Sequence, residues 1–258
     1  MHKNLLTALA LLAVAQPASA ALLLQPGDGA VRYDGSTGGL DADGAFNGAY
    51  VFWDAPFFST TVQAPTVSVN GFIRFGDGDG SGDYNLYPLN TIATTMIAPM
   101  WHDFQLGTSG QIIEHADPNF LFYGVTWNNV ESESHPGYFA TFQAIFFEEN
   151  ATIQGNDFLA GDIAFSYGDL GFYPVSDDAI LGIHHNGDYA TLDEMVPYAG
   201  TINQDMIGDF PVGADEYILF RRNGLGGYDV SIQPIPEPST SLLAPVASLA
   251  LLRRKRRA

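Results

Sequence analysis

The 258-residue chain contains no cysteine, which removes disulfides, thiolate metal sites and a lipid-modified N-terminal cysteine at once. Positive charge is nearly as scarce. Ten Lys and Arg residues stand against 29 Asp and Glu, for a net charge of −19. Six of those ten lie at the extreme ends, as Lys3 and the run Arg253-Arg254-Lys255-Arg256-Arg257. Without residues 1–20 and 236–258, the body keeps no lysine, four arginines (Arg32, Arg74, Arg221, Arg222) and 28 acids, a net charge of −24. Such a surface repels nucleic acid and anionic headgroups, so no nucleic-acid partner is expected. High negative charge also keeps an exported protein dispersed. H-E-x-x-H, G-x-S-x-G and two-glycine phosphate loops are absent too, which removes the chemistries those spacings serve.

What is present begins at the ends. Lys3 precedes an apolar stretch from Leu5 to Ala15 and then Pro17-Ala18-Ser19-Ala20. A cationic start, a short apolar core and small residues at Ala18 and Ala20 form a secretory signal peptide, with a mature start expected at Ala21. The far end reads Pro236-Glu237-Pro238-Ser239-Thr240, then an apolar run to Leu252, then the basic cluster. Leu242 to Leu252 reaches about 16 Å as a helix, roughly half of a ~30 Å hydrocarbon core, and Pro245 interrupts it. Five cations would hold the last residues on the cytoplasmic side. A segment that pauses in the membrane during export, making transient contact, fits these features.

Pro236, Glu237 and Pro238, followed by an apolar stretch and Arg253, Arg254, Lys255, Arg256 and Arg257, resemble the PEP-CTERM sorting signal of Gram-negative bacteria. The resemblance implies an exosortase-type enzyme as processing partner and a cell-surface or secreted destination, with membrane association before processing.

The body of about 215 residues suffices for one substantial β domain. Period-two alternation dominates. Thr66 to Phe75 reads as one strand with a single buried face, and Phe120–Trp127, Asp162–Tyr167, Ala179–His184 and Glu216–Arg221 read as further strands. Tyr138–Phe147 is apolar on both faces and is expected to lie centrally. Gly- and Asp-rich turns separate these runs, and Gly200 to Asp215 reads as a long loop. The expected fold is all-β, an antiparallel β-sandwich with long Gly/Asp-rich loops and short apolar helical segments at both termini. The domains are then 1–20 signal, 21–233 β-rich body and 234–258 sorting segment.

Val67-Ser68-Val69-Asn70-Gly71-Phe72-Ile73-Arg74-Phe75-Gly76 resembles the opening strand region of nidogen-like (NIDO) extracellular domains. Ile97 to Asp103, Val125 to Val130, Phe142 to Phe147 and Asp162 to Tyr167 continue the likeness in order, over a core of about residues 49–191. The resemblance implies an extracellular module of adhesion or matrix, without enzymatic activity.

Three constellations could carry chemistry. Asp77, Asp79, Ser81 and Asp83, with Gly82 at the sixth place, have the oxygen spacing of a calcium loop, although Pro88 occupies the twelfth position where a bidentate Glu belongs. Calcium is the one cofactor suggested. His102, His115, His135 and the pair His184-His185 could supply metal ligands or a general base, yet neighbours on a strand point to opposite faces, so His184 and His185 are poorly placed to share an ion. Trp53, Tyr84 and Tyr87 could stack on sugar rings, whereas Trp101 and Trp127 are expected in the core. The reading is therefore a non-enzymatic structural or adhesive protein whose partners are extracellular polysaccharide or matrix. A carbohydrate-binding module and a secreted hydrolase are the alternatives.

Overall fold

The structure is a computed structural model that describes residues 22–36, 44–48, 55–62, 65–76, 94–170, 179–193, 201–202, 212–213 and 215–236. Both terminal apolar segments, Ala18, Ala20 and Ala21, the calcium loop (Asp77, Asp79, Ser81, Asp83), Trp53, Tyr84, Tyr87 and the tail from Glu237 onward lie outside the described residues.

Two antiparallel sheets form the body. The first runs in the order β1 (Ala30–Asp34), β9 (Gln111–Ala116), β10 (Phe122–Ser132), β11 (Phe139–Phe147), β14 (Ile163–Leu170), β18 (Glu216–Arg222) and β19 (Tyr228–Pro234), with β8 (Phe104–Gln105) beside β10. The second runs β16 (Asp188–Ala190), β15 (Ala179–His185), β7 (Thr95–Trp101), β6 (Phe72–Phe75), β5 (Pro65–Ser68) and β2 (Ala45–Asn47), with β17 (Thr201–Ile202) beside β15. Two ribbons complete the strands, β3 (Ala55–Phe57) with β4 (Thr60–Val62) and β12 (Ala151–Ile153) with β13 (Asn156–Phe158).

Alternating side chains from the two inner faces build one core. Val67, Ile73, Phe75 and Ile97 of the second sheet join Val125, Trp127, Phe142, Phe146, Phe165 and Phe220 of the first in one buried cluster. Each such side chain contributes on the order of 1.5–3 kcal/mol by leaving water. Trp127 also ties the sheets together: its ring stacks on Phe142 at 5.1 Å, and its Nε1 donates to the Ser68 carbonyl at 2.8 Å. The Tyr167 hydroxyl makes a second tie, donating to the Pro99 carbonyl at 2.8 Å. Trp101 lies on the other face of its sheet, buried with Phe72, Met96, Ala98 and Ile180.

β11 does lie centrally, between β10 and β14. Its inner residues Phe142, Ala144 and Phe146 enter the main core. Its outer residues Ile145 and Phe147 enter a second cluster with Leu23, Phe158, Ala164, Leu219 and Ile235. Both faces of this strand are therefore covered, as the apolar residues on each face require.

One strand expected from the sequence is in fact two. Thr66 to Phe75 folds back on itself, so that β5 pairs antiparallel with β6 and Ser68 sits opposite Phe72. The cause is Asn70-Gly71, a turn dipeptide. Gly71 has φ +79, and a Cβ there would fall 2.0 Å from the Met100 carbonyl oxygen. Only glycine can hold the chain in that left-handed position against β7.

Candidate functional site

The outer face of the first sheet carries a polar row crossing three strands. Register places Thr126 opposite Gln143 and Gln143 opposite Ser166, all three fully buried. A buried amide in an apolar strand is tolerated only when its hydrogen-bonding groups are satisfied. Gln143 achieves this with the segment Leu22–Gln25. Its Oε1 accepts from the Leu24 amide at 3.0 Å and from the Ser166 hydroxyl at 3.2 Å. Its Nε2 donates to the Leu24 carbonyl at 3.1 Å and to Thr126 Oγ1 at 2.6 Å.

Neighbouring groups extend the clamp. The Leu23 amide donates to Ser166 Oγ at 3.3 Å, and Gln154 Nε2 donates to the carbonyls of Leu22 and Leu23 at 2.9 and 3.0 Å. Gly124 leaves the space that Leu24 fills, since a Cβ there would lie 2.9 Å from Leu24 Cδ1. The other end of the body comes to the same cluster. Ile235 is buried with Leu23, and its amide donates to the Asp215 carbonyl at 2.7 Å. The next residue, Pro236, is exposed.

The histidines do not converge. His102 bonds Ser132 Oγ at 2.9 Å, His115 bonds Thr126 Oγ1 at 2.9 Å, and His135 bonds Ser134 Oγ at 3.0 Å. Burial holds the His115 imidazole down to about 4, against a small opposing pull from Asp28. His184 contacts the Thr94 carbonyl at 2.8 Å through Nδ1 and accepts from the Gly187 amide at 2.9 Å through Nε2, and burial lowers its pKa as well. His185 turns to the other face, against the Phe58 ring. Among the described residues, no three His, Asp or Glu side chains gather around a point where a metal could sit.

A second buried polar group was not legible in the sequence. Glu114 on β9 points inward, accepting from Arg32 Nε through one carboxylate oxygen and from the Tyr123 hydroxyl through the other. Burial, and then the charge of Glu114, push the Tyr123 phenol well above its ordinary range. An acid inside an otherwise apolar period-two run is the available signal, and it reads equally well as a solvent-facing residue.

The five segments that carry the nidogen-like resemblance lie on the β5–β6 hairpin, β7, β10, β11 and β14. A family model described as NIDO related matches residues 30–218, from β1 into β18. The chain belongs to the NIDO-related family. This makes the matched region a domain of extracellular type. No curated protein and no solved structure matches the chain significantly. Among the described residues, no helix is long and apolar enough to cross a membrane.

Proposed function

We propose that this NIDO-related protein is exported by a Gram-negative cell, sorted by an exosortase-type enzyme, and used as a structural or adhesive component of the cell surface or extracellular matrix. The observation that carries the reading is where the folded body closes. Leu22 and Leu23 are buried directly after the expected cleavage point, and Ile235 is buried directly before the exposed Pro236. A processing enzyme would meet each signal next to a finished domain. A non-enzymatic role is supported by the described histidines, which do not converge, each with at least one ring nitrogen bonded to a hydroxyl or carbonyl group of the fold.

Cell fractionation with and without residues 236–258, combined with mass spectrometry of both mature termini, tests this. The expected product starts at Ala21, lacks the basic cluster and is found outside the cell. If residues 236–258 persist on the exported protein and their deletion leaves its location unchanged, the sorting reading fails.

A further inference from the structure

The last strand, β19, is an edge strand of the first sheet, and a cavity flanks it on either side. On the outer face, a cavity of about 300 Å³ lies between the β12–β13 ribbon and the β18–β19 hairpin. A cavity of about 500 Å³ opens where β19 approaches β16, the edge strand of the other sheet. Asp229 lines both. We propose that the two cavities form one saccharide-binding cleft crossing the β19 edge, with Asp229 at its centre, and that its ligand is a neutral glycan chain.

The outer arm follows from strand geometry. Register sets Arg221, Leu219 and Tyr217 of β18 opposite Asp229, Ser231 and Gln233 of β19. Alternate residues share one face, so Asp229, Ser231 and Gln233 form a polar row about 13–14 Å long beside an apolar floor of Tyr217 and Leu219. Asn156 and Asp157 line the opposite wall. The other arm places Tyr189 and Tyr228 beside Thr191, Asp193 and Asp229. Apolar ring surface next to a few converging polar groups suits a sugar, whose faces are apolar and whose edges are hydroxyls.

Several of these groups are held by the protein with hydrogen-bonding capacity to spare. Arg221 gives Nε and Nη2 to Asp162 Oδ2 at 3.1 and 2.8 Å, and Nη2 also reaches the Asp157 carbonyl at 3.1 Å. Asp229 Oδ1 accepts from Asn223 Nδ2 at 3.1 Å, and Gln233 Nε2 donates to Ser231 Oγ at 3.1 Å. Arg221 Nη1, Asp229 Oδ2 and Gln233 Oε1 are left for a ligand. Asn156 Nδ2 is buried without any hydrogen-bond partner, an unspent donor in the cleft wall.

Charge selects among ligands. The Arg221 cation is already matched by the buried Asp162, so Asp157, Asp193 and Asp229 leave the cleft anionic. It would reject uronates and sulfated chains. A bare cation needs only acceptors, whereas this lining mixes donors and acceptors, as hydroxyl groups do.

The inference deepens the matrix role and rests on it, but its test does not depend on sorting. The exported protein, purified from expressing cells, is titrated calorimetrically with cello-, malto- and mannohexaose, and with a hexauronate as the acidic counterpart. At least one neutral hexasaccharide is expected to bind at millimolar concentration or tighter, and the hexauronate not to bind. Asp229→Ala is expected to weaken binding at least tenfold, and Gln233→Ala and Tyr189→Ala to weaken it separately, with thermal midpoints unchanged for the exposed Asp229. Heat from none of the neutral sugars overturns the proposal, as does a preference for the uronate or wild-type affinity in Asp229→Ala. Mislocalisation in the fractionation experiment, with sugar binding intact, would overturn the sorting reading alone.

Discussion

Gln143 and Leu24 are bonded to each other twice, although 119 residues separate them: the side-chain amide of one accepts from and donates to the backbone of the other. The glutamine acts as a one-residue β-strand, offering a carbonyl and an amide where a neighbouring backbone would.

Replacing Gln143 with Leu leaves the Leu24 amide and carbonyl, Thr126 and Ser166 short of partners. The cost should be about 2–4 kcal/mol, since each buried group left unpaired forfeits roughly 1–3 kcal/mol and relaxation recovers part. Urea unfolding measures the loss. Hydrogen exchange should show faster exchange at Leu23 and Leu24 before any change in β10 or β11.

His115 makes stability depend on pH. Its folded pKa, about 4, lies below the ordinary 6.5 because burial disfavours the cation. Between those values the unfolded chain binds a proton that the folded chain refuses. The contribution is therefore full above pH 6.5 and is lost as pH falls toward 4, by up to about 3 kcal/mol. Carboxylates also titrate in this window, so the readout is a difference. The wild type should lose more stability than His115→Gln between pH 7 and 4.5; equal losses would assign the effect to other groups.

Gly71→Ala should be among the most damaging single-atom additions to this fold. It combines a left-handed backbone with a contact of 2.0 Å to the Met100 carbonyl. A loss of at least ~3 kcal/mol is expected, because backbone oxygen cannot swing aside as a flexible side chain can. Thermal unfolding of the purified variant checks this.

The Glu114 cluster should respond unequally to partial and complete removal. Arg32→Met alone takes the cation from a carboxylate that is 2% exposed and leaves it with Tyr123, at a cost of about 1–3 kcal/mol. Adding Glu114→Leu and Tyr123→Phe removes the remaining polar groups together and should restore most of the loss. A triple variant as unstable as the single one would mean that the site cannot repack.

The sandwich was legible because its signal is local. Tyr138–Phe147 carries apolar residues on both faces and could only be central, while Glu216–Arg221 and Ala179–His184 are short apolar runs of strand length and became β18 and β15. The hairpin at Asn70-Gly71 was misread as continuous strand because alternation persists through a tight turn when both arms are buried. β9 was missed because Glu114 and His115 break its apolar pattern, and their partners lie on other strands. Site residues were harder still. Gln143 looks incidental until Leu24 is placed over it, and the cleft along β19 depends on a ribbon at least 70 residues earlier in the chain. Sequence spacing carries no record of such distances.

The β18–β19 hairpin has a mechanical consequence if the protein is ever held by its C-terminal end. Tension applied at Pro236 reaches the body through the Ile235–Asp215 bond and the Glu216–Pro234 pair, at the open end of that hairpin. Force directed away from the sheet would peel β19 bond by bond toward the Asn223–Gly227 turn. The interlocked core of β10, β11 and β14 would not yet bear the load, so the hairpin would yield first and spare the sandwich.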